Sequence, residues 1–151
     1  MTLYYFEDFS VGQQFETAAH TTTEAEALAF ANRYDPQSHH TDPVAAKESL
    51  FGALVLSGWE TASIVMGLKL RHTPLGNVAT GLVGIGIDKM RWPKAVEPGD
   101  TLRATITIIA ARPSTSRPDK GVVKYKIDAF NQRDELVLEM EVAVLMPRRN
   151  A

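Results

Sequence analysis

Asp35 and His40 stand five residues apart in the polar run Asp35-Pro36-Gln37-Ser38-His39-His40. A carboxylate and an imidazole that converge can hold a water and move its protons, which is general acid–base chemistry. Pro36 keeps Asp35 out of helical geometry, so the run is a shaped loop able to turn both groups inward. Downstream, Ser57-Gly58-Trp59-Glu60 has the spacing of a helix capping box. A helix amino end presents unpaired N–H groups and partial positive charge. An oxygen that gains charge in a transition state is stabilised there by roughly 2.7–4 kcal/mol per donor. Gly58 has no side chain to keep a ligand from its N–H.

Each feature also has a plain reading. An Asp-Pro loop followed by histidines is commonly a turn with a helix cap, and most Ser caps bind nothing. Asp35, His39, His40 and Asp42 offer donors suited to zinc or iron. Adjacent histidines point different ways, however, and only His20 and His72 remain as distant imidazoles, so no metal is expected. Gly84 and Gly86 suggest close packing of a strand more than a phosphate loop, because no helix start follows them.

The elements that must position these residues are readable from pattern. Thr23 and Glu26 form a capping box that opens a helix with Ala25, Leu28, Ala29 and Asn32 on one face, ending near Tyr34. Asp42-Pro43 signals a second helix, ending near Leu50. The Ser57 box opens a third, ending before Pro74; Ala62, Ile64, Val65, Met66, Leu68 and Leu70 make it apolar around much of its circumference, which predicts burial. Phe6–Phe9 reads as an extended lead-in and Gln14–Thr21 as a short strand. Residues 82–92, 101–112, 121–130 and 135–146 read as strands, with alternation clearest at Leu102/Ala104/Ile106/Ile108 and Leu136/Leu138/Met140/Val142/Val144. Helices followed by hairpin-linked strands predict an α+β fold with an antiparallel sheet curved over one apolar helix.

Composition bounds the function classes. A chain of 151 residues suits one domain, 1–151. A net charge of −2 gives no footprint for nucleic acid. The absence of cysteine removes disulfides, thiolate catalysis and Cys-bound zinc, and fits a cytoplasmic protein. The N-terminus lacks a signal-peptide pattern. The apolar stretch from Leu50 to Leu68 is interrupted by Gly52, Ser57, Gly58 and Glu60, so no membrane span is expected.

At these residues the sequence resembles the MaoC-like dehydratases, which include the (R)-specific enoyl-CoA hydratases. The resemblance runs from Phe6-Glu7-Asp8-Phe9 through Tyr34-Asp35-Pro36-Gln37, His40, Asp42-Pro43, Phe51-Gly52 and Ser57-Gly58-Trp59 to Arg91-Trp92-Pro93 and Pro98-Gly99-Asp100. It implies the hotdog fold, a long central helix wrapped by an antiparallel sheet. It also implies an Asp35–His40 dyad, the Gly58 N–H as oxyanion donor, and reversible syn addition of water to a trans-2-enoyl thioester without metal or organic cofactor. Homodimers are usual in such folds. Gln37, Ser57 and Trp59 are further substrate-site candidates, and Arg112, Arg117 and Lys120 are candidates for CoA phosphates. Ser38 replaces a proline common in the family's loop, and His39 stands where an apolar residue is usual, so His39 is expected to be exposed or behind the site. The competing functions are a hotdog thioesterase and a non-catalytic acyl-CoA-binding subunit.

Overall fold

A computed structural model describes residues 1–150. Its elements are short strands β1 (Gln14–Glu16) and β2 (His20–Thr21), helices α1 (Glu24–Tyr34), α2 (Ser38–Thr41) and α3 (Gly58–His72), and strands β3 (Val83–Arg91), β4 (Thr101–Pro113), β5 (Lys120–Phe130) and β6 (Leu136–Pro147). The strands form one antiparallel sheet in the order β1-β4-β5-β6-β3, with β2 also paired to β4. β4, β5 and β6 alternate one side chain inward and one outward almost throughout. Their inward set, including Leu102, Ile106, Val123, Ile127, Leu138 and Val144, meets Val65 of α3 in the core. Register shifts between Ile108 and Ala110 in β4, and at two points in β3, bend the sheet around the helix.

The four expected long strands and the α1 and α3 helices are present, and the α+β class holds, but the strand expected at Gln14–Thr21 is two short pieces, β1 and β2. The turns between them differ. Phe6–Asp8 is a 3-10 turn instead of an extended lead-in, closed by Asp8 accepting from the Tyr5 N–H. The Asp35–Thr41 loop contains one helical turn, α2. The helix expected from Asp42 to Leu50 is only a 3-10 turn, Ala45–Glu48. Asp42 does cap it, accepting from the Val44 and Ala45 N–H groups. A segment this short has too few hydrogen bonds to propagate a helix. In α1 the buried residues are Ala27 and Ala31, one step around from the face read in the sequence.

α3 is not buried all round. Trp59, Met66 and Leu70 are exposed, while the polar Glu60, Thr61 and Lys69 are buried. The exposed stripe continues onto β3, the sheet's edge strand, where Val83, Ile85 and Ile87 are 61%, 53% and 51% exposed. Among the described residues no helix is long and apolar enough to cross a membrane.

Candidate active site

Three pieces of chain meet at the amino end of α3. α1 stops at Asp35, which closes the helix with an N–H donated to the Ala31 carbonyl. Pro36 then forces the chain to turn. The Gln37 carbonyl accepts from the His40 and Thr41 N–H groups, which builds α2 and carries His40 inward. The segment before α3 is held against this turn, with the Val55 N–H donating to the His39 carbonyl at 3.1 Å.

The buried His40 ring is fixed by the backbone. Its Nδ1 lies 2.7 Å from the Val55 carbonyl oxygen. A carbonyl only accepts, so Nδ1 carries the proton and Nε2 is the basic nitrogen. Nε2 faces Asp35 Oδ2 at 3.5 Å. Asp35 is held from both sides: the Gln37 amide donates to Oδ1 at 2.7 Å, and the Ser57 hydroxyl donates to Oδ2 at 2.7 Å. The Gln37 bond, against the opposing effect of burial and with help from Ser57 and the two histidines, holds the Asp35 carboxyl below its ordinary range. Asp35 is therefore a carboxylate at neutral pH.

Ser57 caps α3, but not as a capping box. Its oxygen accepts from the Trp59 N–H at 3.3 Å, its proton goes to Asp35, and Glu60 turns into the interior without reaching back. The Gly58 N–H has no hydrogen-bond partner among the described residues. Asp35, His40 and Gly58 line one cavity of about 270 Å³. His39 and Phe51 form part of its wall, with ring centroids 5.3 Å apart, and His39 also packs edge-on against His40 at 4.2 Å. Trp92 closes another side, its indole N–H donating to the Gly58 carbonyl at 2.8 Å, and Trp59 packs edge-to-face against it.

Residues 8–129 match the MaoC like domain. The chain is a member of the MaoC-like family. Among solved structures it is similar to a MaoC-like dehydratase from Rhodospirillum rubrum, with 41% identity and a TM-score of 0.90 over 98% of this chain and 99% of that one. It is also similar to an (R)-hydratase from A. caviae involved in PHA biosynthesis, at 25% identity and a TM-score of 0.74 over 93% and 99% of the two chains. The mesaconyl-CoA hydratase of Cereibacter sphaeroides is 28% identical over 97% of this chain, which spans 42% of that protein. The fold is the hotdog fold, shared with Rv0216 of Mycobacterium tuberculosis, described as a double hotdog; the TM-score there is 0.81 at 17% identity, over 98% of this chain and 45% of that one.

Relative to this cavity, the residues read from sequence fall into groups. Asp35, His40, Gly58 and Trp59 line the cavity. Gln37 and Ser57 do not line it; they act through Asp35. Arg112, Arg117 and Lys120 are not brought to it. β4 starts at Thr101, beside the turn that follows the cavity-wall residue Val96, and carries Arg112 roughly 35 Å along an extended strand. Beyond it, Arg117 and Lys120 both face Asp119. The basic residue that does reach the cavity is Lys94, paired with Glu135 at 2.9 Å. His39 is half-buried and lines the wall. No group of three or more His, Asp or Glu side chains suited to a metal occurs among the described residues. Val55 and Trp92 were missed as site residues. Val55 acts through its carbonyl, which no residue type signals; Trp92 is an aromatic beside a Pro, a pattern shared with many strand ends.

Proposed function

We propose that this protein interconverts trans-2-enoyl-CoA and (R)-3-hydroxyacyl-CoA thioesters by adding and removing water. The observation that carries the reading is the convergence of Asp35 Oδ2 and His40 Nε2, 3.5 Å apart, at a cavity also lined by Gly58, whose N–H has no partner among the described residues. Both dyad atoms are acceptors, so a water between them can donate one hydrogen to each. The thioester carbonyl accepts from Gly58, which draws electron density from Cβ and stabilises the enolate that forms. The water oxygen bonds to Cβ and one of its protons passes to the dyad. A proton from the dyad then goes to Cα, the carbonyl reforms, and the double bond is lost. A single dyad works from one side of the substrate, so addition is syn. Dehydration is the reverse. The chemistry draws on Asp35, His40 and Gly58 alone, and activity is expected to survive dialysis against a chelator.

The same reading includes a homodimer. β3 has a free edge and three exposed apolar side chains, which is a surface that pairs. Light scattering is expected to give twice the chain mass, and a monomer at working concentration contradicts it.

Crotonyl-CoA tests the activity. Loss of enoyl absorbance without free thiol is expected. Release of free CoA would instead indicate a thioesterase. Asp35→Asn and His40→Ala are each expected to lower turnover by at least about 100-fold. Near-normal turnover in either folded variant overturns the assignment.

A further inference from the structure

Gly58, Ala62, Met66 and Lys69 lie on one stripe of α3, spaced by four, four and three residues. β3 flanks this stripe in the opposite direction. Trp92, just past its end, bonds to Gly58 at the start of the helix, while Ile85 and Ile87 line one cavity with Met66 and Leu70 near the helix end. A second cavity, of about 600 Å³, opens there. Its walls are mostly apolar, with Met66, Leu70, Ile85 and Val142 among them; Lys69 and Tyr125 are its charged and hydroxyl-bearing members.

Lys69 is 2% exposed. Its ammonium donates to the Tyr125 hydroxyl at 2.6 Å and lies 4.8 Å from the centre of the same ring. An ammonium has three hydrogens to give, and this one spends one. No carboxylate lies within ion-pair distance of it among the described residues, and burial alone pushes it down to about 8. Tyr125 is no counter-ion, since burial raises its phenol and keeps it neutral. A buried cation without a partner is costly, and such groups are normally paired. An apolar chamber with one unpaired cation matches a ligand with an apolar body and one anionic end.

We propose that Lys69 and Tyr125 bind a carboxylate at the far end of the substrate's acyl chain, so that the preferred substrates are ω-carboxyacyl thioesters. The inference rests on the hydratase reading above. Lys69 lies eleven positions after Gly58, about 16 Å along the helix axis. The lysine side chain leans back toward the helix start and shortens that span. Under this proposal the thioester carbonyl sits on Gly58 and the acyl chain runs along the stripe, past Ala62, into the second cavity.

Matched pairs of six-, eight- and ten-carbon trans-2-enoyl-CoA substrates, with and without a terminal carboxylate, provide the test. For at least one length the carboxylated member is expected to have at least a tenfold higher kcat/KM. Lys69→Met is expected to abolish that preference and to keep the rate on the uncharged member. Tyr125→Phe, which keeps both ring and ammonium, is expected to weaken the preference several-fold and reads the same site if Lys69→Met fails to fold. Equal rates at every length in the native protein, or a preference that survives the substitution, overturn the proposal while leaving the hydratase intact. Should no enoyl-CoA be hydrated, the functional reading itself fails. Calorimetric titration with saturated suberyl-CoA and octanoyl-CoA still reads Lys69 in that event: tighter binding of suberyl-CoA that is lost in Lys69→Met supports the carboxylate site, and equal binding refutes it.

Discussion

Glu60 is the side chain whose charge the fold resists most clearly, and Glu60→Gln measures that resistance. It lies in the first turn of α3, where the helix dipole favours an anion by roughly 0.3–1 kcal/mol. It is nonetheless 4% exposed, and its Oε2 has no hydrogen-bond partner. Burial wins: with Glu26 adding repulsion and His20 opposing, the carboxyl is pushed up from 4.5 to about 7. The folded state therefore keeps a proton that the unfolded chain releases. Stability from this group is fully present below pH 4.5 and is lost as pH rises to about 7. The span is about 2.5 pH units, at about 1.4 kcal/mol each, so the loss is a little over 3 kcal/mol. Glutamine keeps the shape and cannot ionise. Urea titrations at fixed protein concentration are expected to show little difference between Glu60→Gln and the native chain near pH 4.5. By pH 8 the variant is expected to be more stable by about 3 kcal/mol. A difference that stays constant from pH 4.5 to 8 refutes the reasoning, because it would mean that Glu60 ionises as easily in the folded chain as in water.

Three further outcomes follow from the site. Ser57→Ala removes the cap of α3 and is expected to cost about 1 kcal/mol in urea unfolding; it also removes a donor that holds Asp35 ionised, so the acidic limb of the pH–rate profile is expected to move to higher pH. Gly58→Ala keeps the N–H but places a Cβ 2.6 Å from Trp92 Cε2. The indole must swing away and lose its bond to the Gly58 carbonyl, about 1 kcal/mol, with red-shifted tryptophan emission and a lower kcat/KM; unchanged emission contradicts this. Lys69→Met removes an ammonium that folding opposes up to about pH 8. Since the folded value lies below 10.5, the penalty is full below pH 8 and fades as pH rises to 10.5, so the variant is expected to gain about 1–2 kcal/mol at pH 7 after loss of the Tyr125 bond, and less at pH 10.

The parts of the fold that were legible in the sequence are those set by repeating pattern. Alternation in β4 and β6 and the Thr23–Glu26 cap express themselves locally and survive folding unchanged. What failed was propagation and environment. Asp42-Pro43 is a sound start signal, yet the turn it opens runs only to Glu48 before Ser49 and Gly52 take the chain elsewhere. Apolar residues all round α3 implied burial, but Met66 and Leu70 face the exposed stripe beside β3, while Lys69 lies inside. That Asp35, His40 and Gly58 come together at one cavity was legible because their types and spacing are unusual together. The Arg112 and Arg117 assignment rested on charge alone, and charge on a hairpin tip says nothing about which end of the sheet it reaches.

The site's economy turns on a single proton. The Ser57 hydroxyl has one hydrogen and gives it to Asp35 Oδ2, so its oxygen is left to accept the Trp59 N–H. Had the hydroxyl capped the helix without that donation, Asp35 would keep only Gln37 and would lose charge more readily as pH falls. Had it accepted from Gly58 instead, the donor that the proposed reaction offers to a developing oxyanion would be occupied. The geometry leaves the Gly58 N–H free and the carboxylate ionised through the same residue. The start of α3 and the Asp35–His40 pair are therefore joined by Ser57, and under the proposed reaction a change in the helix cap alters the pH–rate profile as well as the stability.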